Sequence, residues 1–169
     1  MWGWVVVSVI AGTCLAVHCL QTWVMEGERQ DLYVVARRVA DQSEKPLLVV
    51  GAPQARGQGF PSYPHGDVTI DIDPRPEDLK TLKVDVEVAD SFFVPGQFGA
   101  AFMSHVLEHV ERPQRALDAL MVIADRVFVA YPQSESFWAY CVSDHRWIID
   151  GISPEGRVQC HRNPLYVGG

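Results

Sequence analysis

The chain has 169 residues, of which 48% are hydrophobic and 21% are charged, and its formal net charge is -7. This length fits one domain, because domains usually contain about 100 to 200 residues. The acidic balance and the lack of any cluster of Lys and Arg exclude a broad nucleic-acid-binding face, which has to neutralise phosphates. We therefore expect no nucleic acid among the partners.

Residues 1–25 form an apolar amino-terminal segment, with no Asp, Glu, Lys or Arg between Trp2 and Met25. A helix of this length crosses a hydrocarbon core of about 30 Å at about 1.5 Å per residue. Basic residues follow the segment and none precedes it, which by the positive-inside rule predicts a single-pass membrane anchor with the globular part in the cytoplasm. The lipid bilayer is thus a predicted partner, and subunits of a membrane complex are further candidates.

Residues 26–45 are predicted to form an amphipathic connecting helix that continues from the anchor and lays the domain against the bilayer surface. Apolar residues recur there at the i, i+3, i+4, i+7 spacing of one helix face. They are Leu32, Val35, Ala36, Val39 and Ala40.

Residues 46–169 are predicted to form the globular domain. Apolar runs predict strands at Leu47 to Val50, Asp67 to Ile72, Phe98 to Met103 and Val127 to Ala130, and alternating valines predict another at Lys83 to Ala89. A short helix is predicted at Pro76 to Leu82 and a longer one from Pro113. Strands that alternate with connections in this way predict an α/β fold with a mostly parallel, Rossmann-like sheet. In the tail, Arg157 to Val167 are predicted to form a hairpin that turns at Asn163-Pro164.

Glycine and acidic residues stand at the ends of the predicted strands. Gly51 follows the first strand, Asp71 ends the second within Ile70-Asp71-Ile72-Asp73-Pro74, Asp90 follows the third, and the fourth runs into the sequence SHVLEHV from Ser104. In this order, from Pro46 to Pro132, the motifs resemble those of class I S-adenosylmethionine-dependent methyltransferases, particularly the type 11 group. The resemblance implies a reduced form of the methyltransferase fold.

The resemblance also implies a cofactor, an activity and a set of site residues. S-adenosylmethionine would be bound by Gly51, Asp71, Asp90 and Ser104, with Asp71 on the ribose hydroxyls and Asp90 near the adenine amino group. His105 is the implied catalytic residue. The implied function is a membrane-anchored methyltransferase that acts on a small-molecule or lipid-like acceptor.

Departures from the family pattern favour an alternative function. The first loop reads Gly51-Ala52-Pro53 in place of a Gly-x-Gly run, and the helix that the family has after it is missing. Gly99 stands where the family commonly has Asp, and the 37 residues after Pro132 are too few for the last two strands of a full sheet. These departures favour a catalytically inactive methyltransferase-fold subunit, which would serve as a binding or assembly module of a membrane complex.

A remote alternative is metal chemistry. Residues 105–109 fit H-x-x-E-H, the inverted zinc-peptidase motif, in which two histidines share a helix face. A strand ends just before the motif and Pro113 starts a helix just after it, so we predict no metal site and expect His109 to pack and cap the turn. His145 follows Cys141 by one helical turn, and we interpret it as part of an aromatic structural cluster rather than as the base of a thiol nucleophile.

Overall fold

The computed structural model describes residues 27–51, 63–136, 139–140 and 142–167. The predicted membrane anchor, residues 1–25, and most of the loop after Gly51 lie outside the described residues. In the ranges that are described, no helix is both long enough and apolar enough to cross a bilayer. The anchor therefore stays a prediction.

Five parallel strands form the central sheet, in the order β3-β2-β1-β4-β5. They are β1 (Leu47–Val50), β2 (Val68–Asp71), β3 (Thr81–Lys83), β4 (Ala100–Ser104) and β5 (Val127–Ala130). The predicted α/β fold with a parallel sheet is thereby confirmed. The chain moves outward from β1 to β3 and then returns to place β4 on the other side of β1, so the strand order reverses between β1 and β4.

The remaining elements cover the sheet or follow it. Helix α1 spans residues 27–42, the 3-10 helix η1 spans Val86–Ser91 and helix α2 spans Pro113–Ile123. Strands β6 (Trp147–Ile152) and β7 (Val158–Arg162) form a separate antiparallel pair. Pro113 begins α2, as predicted, because the first helical residue needs no amide partner.

Both faces of the sheet are buried, which explains why its strands are continuous apolar runs rather than alternating ones. On one face, Leu47 and Val49 of β1 pack with α1. On the other face, Leu48 and Val50 pack in the cluster that contains α2 and the β6-β7 pair. The sheet is therefore the middle of three layers.

Helix α1 is an integral layer of the domain. Ala36 and Ala40, two members of the predicted apolar stripe, are fully buried, whereas Val35 is 44% exposed. A Cβ on Gly99, just before β4, would collide with Ala40 and with Ser43 beyond the end of α1. Glycine at this position thus reflects close packing between α1 and the sheet.

Two predicted elements around β3 are wrong. The predicted helix from Pro76 to Leu82 is a pair of turns that leads into β3, and most of the predicted strand from Lys83 to Ala89 is the 3-10 helix η1. The side chain of Asp85 accepts a hydrogen bond from Glu87 N at 2.9 Å and so caps η1. This local cap outweighs the alternating valines that predicted a strand.

The predicted hairpin in the tail is also wrong in its turn. Residues 153–157, not Asn163-Pro164, connect the paired strands β6 and β7. Asn163 is instead buried, and its side-chain amide donates to the carbonyl oxygens of Tyr140 and His145.

Candidate functional site

Gly51 follows β1 directly and lies beside the end of β4. Its φ is +92°, a backbone conformation that glycine adopts without strain. A Cβ there would lie 2.8 Å from Val106 Cγ2, in the turn that follows β4. Glycine thus lets the end of β1 pack closely against the turn that follows β4.

Ser104 and His105 lie at the adjoining end of β4. Ser104 is buried, and its Oγ has no hydrogen-bond partner among the described residues. His105 has a φ of +53°, which is uncommon for a residue other than glycine and is found more often at functional sites. A buried hydroxyl without a partner and an unusual backbone conformation thus occur side by side at the carboxyl edge of the sheet.

A cleft of about 280 Å³ opens beside His105. Its other walls are the end of β5, through Val129, Ala130, Tyr131 and Gln133, and the first turns of α1, through Glu28, Arg29 and Leu32. Burial raises the pKa of the Tyr131 phenol, which therefore stays protonated at neutral pH. The cleft offers space for a small molecule next to the predicted catalytic residue.

The two predicted cofactor-binding acids have different surroundings. Asp71 ends β2 at the same sheet edge, and its Oδ1 accepts a hydrogen bond from Asp73 N at 2.8 Å. Asp90 lies in η1, where Arg115 of α2 donates to its two oxygens at 2.7 and 3.0 Å. The hydrogen bonds from Arg115 lower the pKa of Asp90. The sheet edge thus gathers Gly51, Asp71, Ser104 and His105, while Asp90 is bound to α2.

Glu108, in the turn after β4, is a buried acid that is surrounded by histidines. It is 1% exposed, and neither carboxylate oxygen accepts a hydrogen bond from any residue in the described ranges. His105 Nδ1 lies 3.2 Å from Oε1 without hydrogen-bond geometry, and His145 Nε2 lies 3.8 Å from it. Burial by itself would raise the pKa of Glu108, but His105 and then His109 outweigh it and lower that pKa, so the carboxylate is ionised at neutral pH.

Two histidines lie edge to face beside this carboxylate. The ring centroids of His109 and His145 are 4.8 Å apart. His109 Nδ1 lies 3.1 Å from the backbone oxygen of Asp144, and His145 Nδ1 lies 3.2 Å from that of Ala139. Burial lowers the pKa of His145, so its ring is neutral at neutral pH.

A group of possible metal ligands consists of Glu108, His109 and His145. Sequence patterns identify only some of its members. Each offers one ligand atom, and these atoms all lie within 4.8 Å of one another. The H-x-x-E-H pattern contains two of the three residues, but residues 105–110 form bends and turns rather than the helix of an inverted zinc peptidase. No spacing rule connects His145, 36 residues after His109, to this turn.

Comparisons with protein-family models, curated proteins and solved structures give no match for this chain. The case for a function therefore rests on the geometry of the sheet edge and on the chemistry of the side chains there.

Proposed function

We propose that the chain is a membrane-anchored, S-adenosylmethionine-dependent methyltransferase-like protein that acts on a small or lipid-like acceptor. The observation that supports this most is the meeting of Gly51, Asp71 and Ser104 at one edge of a parallel sheet, on both sides of the point where the strand order reverses. Open α/β sheets bind their ligands at that point.

The residues at this edge fit the cofactor. The backbone of Gly51 permits a close approach, the Asp71 carboxylate suits two ribose hydroxyls, and the buried Ser104 Oγ lacks a partner among the described residues. When bound, the cofactor would supply a reactive methyl group. The protein would then contribute mainly the alignment of the acceptor.

His105 is the side chain that we propose takes a proton from the acceptor. It lines the cleft at the end of β5, so an acceptor in that cleft would lie against its ring. Glu108 Oε1, 3.2 Å from His105 Nδ1, would stabilise the ring after it has gained the proton.

The position of α1 favours an acceptor that is reached from the bilayer. Glu28, Arg29 and Leu32 line the cleft and follow the predicted anchor by at most seven residues. A helix that continues into the predicted anchor would place this wall within about 10 Å of the end of the anchor, at about 1.5 Å per residue. A lipid headgroup, or a small molecule held at the membrane surface, would therefore have a short path to His105.

Titration calorimetry of the full chain in detergent tests the proposal. We expect S-adenosylmethionine to bind with micromolar affinity and Asp71→Asn to weaken binding at least tenfold, because a charge-assisted contact to the ribose is lost. Asn keeps the oxygen that caps Asp73. Asp73→Asn is the matched control, two residues away and exposed, and should bind like the parent. Absence of heat at millimolar cofactor would reject the proposal.

The ion pair of Asp90 with Arg115 favours a second candidate, the inactive binding or assembly subunit. An acid that is already held by a guanidinium is a weaker partner for an adenine amino group. For this candidate we expect no formation of S-adenosylhomocysteine when the full chain is incubated with cofactor and membrane lipids. Product that forms in the parent and is lost in His105→Gln supports the enzyme instead.

A further inference from the structure

We propose that Glu108, His109 and His145 form a binding site for a divalent first-row transition metal, of which zinc is the representative. The two histidines and the carboxylate come from two segments, the turn after β4 and the loop before β6. Their ligand atoms lie within 4.8 Å of one another. Imidazole ligands select transition metals over calcium and magnesium, which prefer oxygen.

The orientation of the histidines supports the site. The backbone oxygens of Asp144 and Ala139 can only accept hydrogen bonds, so Nδ1 of His109 and of His145 is the nitrogen that carries the proton. In a neutral ring this leaves Nε2 with its lone pair. Histidines that bind metals usually donate their other nitrogen to a carbonyl or a carboxylate in this way, which fixes the tautomer and the ring orientation.

The burial of Glu108 supplies the second observation. Its carboxylate is nearly inaccessible and accepts no hydrogen bond within the described part of the chain. A buried carboxylate without hydrogen bonds is costly, and burial beside a cation removes that cost. The His105 ring, with Nδ1 3.2 Å from Oε1, also lies beside this carboxylate.

Small movements would complete the coordination. Metal-ligand distances of about 2.1 Å place tetrahedral ligand atoms roughly 3.5 Å apart, so the three side chains need to approach by up to about 1.5 Å. His145 is 4% exposed, whereas the His109 side chain is partly exposed. Solvent therefore reaches the group from the His109 side, where water would complete the coordination sphere.

Such an ion would join two parts of the domain. Glu108 and His109 follow the central sheet, and His145 precedes the antiparallel pair β6-β7. The backbone oxygen of Glu108 already accepts hydrogen bonds from Arg146 N and Trp147 N at 2.8 and 3.1 Å. The metal would strengthen this connection, and this inference does not depend on whether S-adenosylmethionine binds.

The test uses the full chain in detergent, stripped of metal by chelation and then titrated with zinc chloride. We expect one equivalent to bind, and at a hundredfold excess over the dissociation constant we expect the melting temperature to rise by about 5 to 10 °C. Cobalt should bind in the same ratio and give visible absorption bands. Glu108→Gln, His145→Gln and His109→Gln should each weaken zinc binding at least a hundredfold.

His161→Gln is the matched control, because His161 is exposed on β7 and pairs with Asp150. It should bind zinc like the parent. His109→Gln keeps the test valid if the more buried variants fail to fold, since the His109 side chain is partly exposed. The proposal is overturned if the parent binds no zinc at 100 µM, or if His109→Gln binds it as tightly as the parent does.

Discussion

Glu87 is a buried acid whose charge is well compensated. Its Oε1 accepts from the backbone amides of Glu111 and Arg112 at 2.7 and 3.0 Å, and its Oε2 accepts from Arg112 Nε at 2.8 Å. Burial would raise its pKa, but the hydrogen bonds from Arg112 and Glu111 outweigh that effect and lower it. Glu87 thus connects η1 to the residues that precede α2. Arg112 is the N-cap residue of α2, and its side chain makes no capping hydrogen bond there.

We expect Glu87→Gln to lower the free energy of unfolding by about 2 kcal/mol at pH 7, because hydrogen bonds to a charged group are lost. A carboxyl group whose pKa is lowered by folding stabilises the folded state at pH values above its unfolded pKa, which is near 4.5. This stabilisation is lost as the pH falls through the pKa of the group in the folded state. The difference between variant and parent should therefore shrink as the pH is lowered from 7 to below 4.5. Urea denaturation across this range measures it.

Glu77→Gln is the control for this prediction, because Glu77 is exposed in a turn. It should unfold like the parent at every pH. A Glu87→Gln variant with the stability of the parent at pH 7 would contradict the assigned role of the carboxylate.

At the scale of elements, sequence patterns predicted correctly the strands and the helix start that are marked by the local sequence itself. The runs that became β1, β4 and β5 are apolar on both faces, and Pro113 marks the start of α2. The region around β3 and the turn of the β6-β7 pair were mispredicted, because the Asp85 cap and the buried contacts of Asn163 decide them. The residue-level roles at the sheet edge remain predictions, and the position of His145 depends on tertiary contacts that no local pattern reveals.

The packing of α1 on the sheet gives a prediction at the same scale. Gly99→Ala should destabilise the domain by about 1 to 3 kcal/mol, because the new methyl group overlaps Ala40 and Ser43 and forces α1 away from the sheet. Gly151→Ala, in β6, is the matched control, since the nearest atom to its Cβ would be Gln159 Oε1 at 3.8 Å. Thermal unfolding compares the two, and equal melting temperatures would contradict the close packing of α1.

At the scale of the whole molecule, an anchor at residues 1–25 would hold the cleft near the membrane surface. We expect the full chain to stay in the membrane fraction after an alkaline carbonate wash and to be released by detergent. Replacing Val9 and Ile10 with Arg should shift the chain to the soluble fraction, because each charge near the middle of a span costs about 3 kcal/mol.

The control is a variant in which Leu79 and Val94 are replaced with Arg. Both side chains are exposed in the domain, Leu79 at 92%. That variant should remain in the membrane fraction. A parent chain that the carbonate wash releases would refute the anchor.

The contacts of Asn163 also determine when the domain can complete its folding during synthesis. The side-chain amide of Asn163 donates hydrogen bonds to the carbonyl oxygens of Tyr140 and His145, and Asn163 N donates to Arg146 O at 3.0 Å. Domains generally fold as units during synthesis, once the residues that they need have left the ribosome. The five parallel strands are complete by residue 130, yet the loop that carries His145 gains these contacts only after residue 163 emerges. A nascent chain that ends before residue 163 would therefore lack the contacts of Asn163 that hold the loop of His145 near Glu108.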